Sequence, residues 1–188
     1  LRYDAATDEF YLNISTRRID GDDTEVPTDT GHPDQTVLGI DLGERFDPAF
    51  GGFGSAPKFP QPVALNRLLR HYARSERSGD ADRGALHMAC HTLRRMALGG
   101  LYDQVGGGFA RYSVDGEWMI PHFEKMLSDN ALLMSVATDA HRATGDRFFR
   151  RIARETGEWA LREMRLPEGG FATSLDADTS EGEGVFYL

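Results

Sequence analysis

Asp103, His122, Glu124, Asp176 and Asp178 are the side chains of this sequence best suited to acid–base chemistry, because all stand in or beside loops rich in glycine and aromatic residues. Carboxylates gathered from different loops are what sugar chemistry asks for. A glycosidase needs an acid and a base or nucleophile, and inverting enzymes hold theirs roughly 6.5–9.5 Å apart. Asp103 against Asp176 or Asp178 is the favoured pair, since catalytic carboxylates more often come from separate loops. Asp176 and Asp178, two positions apart, fall on one side of an extended strand and suit gripping hydroxyls.

His122 and Glu124 follow Pro121, where a helix is expected to begin. On a helix they lie about 200° apart and do not share a pocket. His122 instead shares a face with Met126 and Asp129, and an Asp beside a His orients the imidazole for general-base work. The alternative is structural: His122 satisfied by a neighbouring loop backbone, and Glu124 favoured by the helix dipole. Lys58, Tyr102, Arg111, Trp118 and Asp129 are the candidate substrate contacts. The aromatic residues among and around them, Phe53, Phe109, Phe171 and Tyr112 included, either stack on sugar faces or anchor the core. All but two of the 21 basic residues are arginine. The exceptions, Lys58 and Lys125, mark places where a compact ammonium is needed, unless chance put them there.

Metal and phosphate chemistry are less well served. Asp176, Asp178 and Ser180 look like the start of a calcium loop, but Gly182 comes one place late and Tyr187 stands where the closing Glu belongs. The glycine runs lack the Lys-Ser/Thr of a phosphate cradle. One cysteine, Cys90, excludes an internal disulfide and a Cys-x-x-Cys site. No metal and no cofactor are expected.

The elements that must position these residues repeat. Gly51-Gly52-Phe53, Gly107-Gly108-Phe109 and Gly169-Gly170-Phe171 recur at intervals of roughly sixty residues, the period of stacked helical hairpins. Between them, helices are predicted from Pro60 and Pro62 to Ser78, from about Asp82 to Leu98, from Pro121 to Gly145 and from Asp146 to before Pro167, each with apolar residues at three- and four-residue spacing. Asp115-Gly116 after an alternating stretch predicts a small hairpin. Arg150, Arg151, Arg154, Arg162 and Arg165 read as a solvated face paired with glutamates. Residues 20–36 read as linker, and Glu9 to Ile14 as a short strand. Thirty acidic residues against 21 basic ones, a net charge of −9, argue against nucleic acid as a partner. No run of eighteen apolar residues spans a membrane. The chain starts without an initiator Met or a signal-peptide pattern, so a cytoplasmic setting is expected and the true N-terminus is expected to lie upstream.

Four blocks, taken in order, carry a family resemblance: Gly51 to Pro60; Gly100 to Tyr112; Trp118 with Pro121 to Leu127; and Leu175 to Asp178 with Glu181 to Gly184. Across roughly residues 46–188 the chain resembles the spermatogenesis-associated protein 20 family of thioredoxin domain-containing proteins. The resemblance implies an all-α fold, part of an (α/α)6 toroid of the six-hairpin glycosidase and sugar-epimerase type, with short β-hairpins in the glycine-rich loops. It also implies a thioredoxin-like domain in the intact protein, outside this chain, and a barrel of which only about half is present here. Residues 1–45 form a lead-in segment without a motif. Two functional readings follow: a carbohydrate-active domain of glycosidase or epimerase type with a small sugar-like ligand, or a non-catalytic binding or scaffold domain serving the thioredoxin-like partner. A lanthionine- or terpenoid-cyclase type toroid is disfavoured, because no Cys/His cluster for zinc and no Asp-Asp-x-x-Asp motif is present in the sequence. The two leading readings divide on geometry. An enzyme brings Asp103, His122 and Asp176 or Asp178 to one cavity, whereas a scaffold spends them on capping loop N–H groups.

Overall fold

The computed structural model describes residues 2–4, 9–13, 41–180 and 182–185. The linker expected over residues 20–36 lies outside these, as do Ile14 and the strand-like ending at 186–188. The chain divides into two compact units, Leu1–Phe46 and Asp47–Leu188. In the first, β1 (Arg2–Asp4), β2 (Glu9–Asn13) and β3 (Asp41–Arg45) form an antiparallel sheet in that order.

The second unit is built on two helical hairpins. Helix α1 (Pro62–Arg77) opens with proline in its first turn, where a missing N–H costs nothing, and buries Leu65, Leu68, Leu69 and Tyr72 on one face. Helix α2 (Arg83–Leu98) is capped by Asp82, whose carboxylate accepts the Ala85 N–H and also meets Nε2 of His71 on α1. One side chain thus starts the second helix and ties it to the first. Helix α3 (Leu127–Thr144) ends at Gly145, whose φ of 71° reverses the chain. Asp146 follows at once as the cap of α4 (Arg147–Trp159), accepting the Phe148 N–H. Beyond Trp159 the helix widens into a π-helical turn, Ala160–Met164. Helix α1 packs on both α2 and α3, so the hairpins lie side by side. Their shared core includes Leu93, Met96, Leu133, Val136, Phe149 and Ile152, all almost fully excluded from water.

One predicted boundary moves. Helix α3 begins at Leu127, and residues 121–126 are extended. Pro121–His122 (β5) pairs antiparallel with Tyr112–Ser113 (β4), and Lys125–Met126 (β6) pairs with Ser174–Leu175 (β7). Helical periodicity across Pro121 to Met126 is therefore overruled by pairing with strands that come from elsewhere in the chain. The shared helix face of His122, Met126 and Asp129 does not form. The Asp115-Gly116 reversal does close a hairpin, but as a longer loop: the Asp115 carboxylate accepts the N–H groups of Glu117, Met119 and Ile120. A last hairpin joins Asp178–Thr179 (β8) to Gly182–Glu183 (β9).

The glycine-rich loops adjoin in chain order. Lys58 bridges to Ser113, linking the first loop to the second, and the β6–β7 pair links the second to the third.

Candidate functional site

Two of the three glycine loops are the same machine. Asp47 stands four residues before Gly51, as Asp103 does before Gly107. Asp47 Oδ1 accepts the N–H groups of Ala49 and Phe50, and Asp103 Oδ1 those of Val105 and Gly106. Each Oδ2 takes a buried lysine: Lys58 Nζ at 2.6 Å and Lys125 Nζ at 2.8 Å. Each ammonium also donates to a carbonyl, that of Gly116 or of Gly107. Each lies over an indole, Trp118 at 5.2 Å and Trp159 at 5.4 Å from the ring centre. The second glycine of each triplet, Gly52 or Gly108, has φ of 82° and would drive a Cβ to 2.6 Å of that same indole. Only glycine meets both demands. In the third copy Arg165 replaces the aspartate, and the loop is held by backbone bonds between Leu166 and Gly170.

These contacts explain the two lysines. A cation buried to this depth needs a fixed counter-ion and further acceptors, and each loop supplies both. Burial alone would raise the Asp47 and Asp103 carboxyls, but the lysine hydrogen bonds and the loop N–H groups outweigh it and hold both below the usual carboxylate range. Asp103, Lys58 and Trp118, three sequence-predicted site residues, are thus engaged inside the loops. Tyr102 is also buried; its hydroxyl donates to Glu155, and burial followed by that carboxylate pushes its pKa far up. Asp176 and Asp178 are exposed, with the Asp176 carboxylate accepting the Asp178 N–H.

A different group of polar side chains gathers beside β4 and β5. His122 Nδ1 lies 2.9 Å from Glu183 Oε1, and its Nε2 is 3.9 Å from Glu124 Oε2. Glu124 accepts from Arg111 Nη1 at 2.8 Å, and the Arg111 backbone N–H donates to the Glu124 carbonyl. The His122 ring stacks on Tyr112, its cross-strand partner. Asp129, in the first turn of α3, completes the cluster: burial raises its carboxyl, Arg111 opposes this, and the Glu124 charge adds to it. His122 and Glu124 keep only 28% and 23% of their side-chain surfaces in water, enough to meet a ligand while partly desolvated.

The structure therefore brings together three of the predicted residues, Arg111, His122 and Glu124, with Asp129 near enough to feel the charges of Arg111 and Glu124, and adds Glu183, which the sequence reading left out. The only sequence signal for Glu183 was its place in the glycine-flanked stretch after Asp178. Its approach to His122 depends on the β8–β9 hairpin. Asp103 does not join His122, because its lysine and loop N–H groups occupy it. Among the described residues, no cluster of His, Cys, Asp and Glu is placed to hold a metal ion, and no helix is long and apolar enough to cross a membrane.

No family model matches the chain. It is 44% identical over 153 residues to spermatogenesis-associated protein 20 of Mus musculus and 42% identical over 153 residues to that of Homo sapiens. Each match covers 78% of this chain and 19% of the relative, so the chain spans about a fifth of the length of these proteins. Among solved structures, it is similar to cellobiose 2-epimerase from Spirochaeta thermophila, with TM-score 0.55, 24% identity, and coverage of 70% of this chain and 34% of that one. It is also similar to a sugar epimerase from a ruminal bacterium, with TM-score 0.55, 17% identity, and coverage of 74% and 39%. The hairpins and their glycine loops are part of an (α/α)6 toroid, the fold of these sugar epimerases.

Proposed function

From the premise that this chain is, over 78% of its length, a homologue of spermatogenesis-associated protein 20 with part of an (α/α)6 toroid, we propose that it supplies an acid–base site acting on a sugar-like ligand. The observation that carries the proposal is the group of His122, Glu124, Arg111, Asp129 and Glu183, which is not consumed by loop capping. Glu183 accepts the Nδ1 proton of His122, which leaves the Nε2 lone pair free as a base. The 3.9 Å between Nε2 and Glu124 exceeds a hydrogen bond, so neighbouring ligand hydroxyls can donate one to Nε2 and one to Glu124. Asp129, with its raised carboxyl, retains a proton further up the pH scale than an ordinary Asp and suits the role of acid. Arg111 holds Glu124 in place and faces the ligand as a donor. Epimerisation and glycoside hydrolysis both call on such a divided pair, and the sugar-epimerase neighbours favour the first.

The second reading, a non-catalytic scaffold, is favoured by the fate of Asp47 and Asp103, both spent on lysines and loop N–H groups. The test is the intact protein against a panel of mono- and disaccharides, following both epimer formation and hydrolysis. Loss of a positioned base costs roughly 10²–10⁴ in rate, so His122→Asn should lose turnover by that factor while keeping its thermal midpoint. Turnover unaltered in His122→Asn and in Glu124→Gln would remove this site, whereas no turnover of any saccharide by the wild-type protein would leave the scaffold reading.

A further inference from the structure

Three rings stand in a row beside the polar cluster. His122 stacks on Tyr112 with centroids 4.8 Å apart and planes within 19°. Tyr112 meets Phe59 at 4.9 Å with a tilt of 33°. Each member of the row comes from a different piece of chain, and each is fixed by backbone. Tyr112 and His122 are opposite one another in the β4–β5 pair. Lys58, the neighbour of Phe59, bridges in register to Ser113, the neighbour of Tyr112. The Lys58 staple, fully buried on its aspartate, therefore also determines where Phe59 stands.

Phe59 itself is 45% exposed, whereas Phe53 and Phe109, which serve the core, are 2% and 0% exposed. An aromatic ring left half in water on a rigid backbone is a ready contact for an apolar ligand face. The two ends of the row differ in chemistry. Glu124, Glu183 and Arg111 form their ion pairs at the His122 end. The Phe59 end offers hydrocarbon.

A pyranose has the matching duality. Its hydroxyls project around the rim and hydrogen-bond to carboxylates and guanidinium, while its C–H face packs on the negative face of an aromatic ring. One sugar placed against His122 and Glu124 leaves Phe59 uncovered, because Tyr112 lies between the two. Resting on the acid–base reading of His122, we propose that the site takes an oligosaccharide of at least two rings: the reacting ring at His122 and Glu124, and its neighbour's C–H face on Phe59.

Calorimetric titration of the intact protein with maltose, lactose and mannobiose, each against its component monosaccharides, tests this. At least one disaccharide should bind about tenfold more tightly than its monosaccharides, the scale of one added ring contact. Phe59→Ala should bring that ratio close to one, and Phe59→Trp should preserve it. His122→Asn should weaken disaccharide and monosaccharide alike. A wild-type ratio near one, or a ratio that survives Phe59→Ala, overturns the two-ring proposal while leaving the sugar site standing. Absence of binding by every saccharide in wild-type protein overturns the acid–base reading beneath it. Phe59 lies at the surface, so an unchanged helical circular dichroism spectrum in its variants identifies a lost ratio as a lost contact.

Discussion

Asp103 and Asp129 are aspartates in neighbouring loop and helix, and their surroundings push them in opposite directions. Asp103 receives a lysine and two loop N–H groups that outweigh burial, so its folded pKa is depressed below its ordinary value of 3.8. Its stabilising contribution is present above that value and is lost as pH falls through the lower folded one. Asp103→Asn should lower the thermal midpoint at pH 7, with the difference from wild type closing only in strong acid. Asp129 is raised, burial being the first cause, so it binds its proton more tightly when folded. That contribution is present below 3.8 and is lost as pH rises through the raised folded value. Asp129→Asn should therefore raise the midpoint at pH 7 by a few degrees, and the gain should vanish below pH 3.8; thermal melts from pH 3 to 7 check both signs. A stabilising substitution that also removes activity is the signature of strain kept for function. Cys90 gives a third residue-scale expectation. Burial pushes its thiol up to about 11, so iodoacetamide should modify the native protein slowly at pH 8 and rapidly only after unfolding.

At the level of elements, the unit to test is the glycine loop with its lysine and tryptophan. Removing Lys125 leaves Asp103 buried without its cation, a loss of about 3–5 kcal/mol, whereas removing both partners costs far less. Lys125→Met should thus destabilise strongly in urea titrations, and Lys125→Met with Asp103→Asn should recover most of the loss. Additive losses in the double variant would deny that the two act as a pair. The loop's parts were visible in sequence as scattered curiosities: two lysines in an arginine-rich chain, repeated glycine pairs, two tryptophans. Their assembly was not, because Lys125 meets an aspartate 22 positions away and Lys58 a carbonyl 58 positions away. The helices were more legible. Their apolar spacing and their caps, Asp82, Gly145 and Asp146, lie within a few residues of what they govern. The exception was the start of α3, where strand partners from 112–113 and 174–175 straighten residues that alone read as helix.

For the molecule as a whole, the unit from Asp47 onward contains all four helices, the paired loops and the candidate site. We expect residues 47–188, expressed alone, to keep their helical circular dichroism and a cooperative melt. A molten, non-cooperative transition would show instead that the preceding segment is needed for the core. By itself the sequence determined the repeat and the helical hairpins, since periodicity and glycine turns are local properties written into neighbouring residues; the kinship with sugar-epimerase toroids was implied by the family resemblance of its four blocks. Which carboxylates are free for chemistry was decided only by the tertiary structure. An aspartate paired with a buried lysine and one left without such a partner carry the same letter, and the difference lies in what distant segments place beside them. Asp103 was drawn into the scaffold by Lys125, and Glu183 was delivered to His122 by a hairpin 61 positions further along.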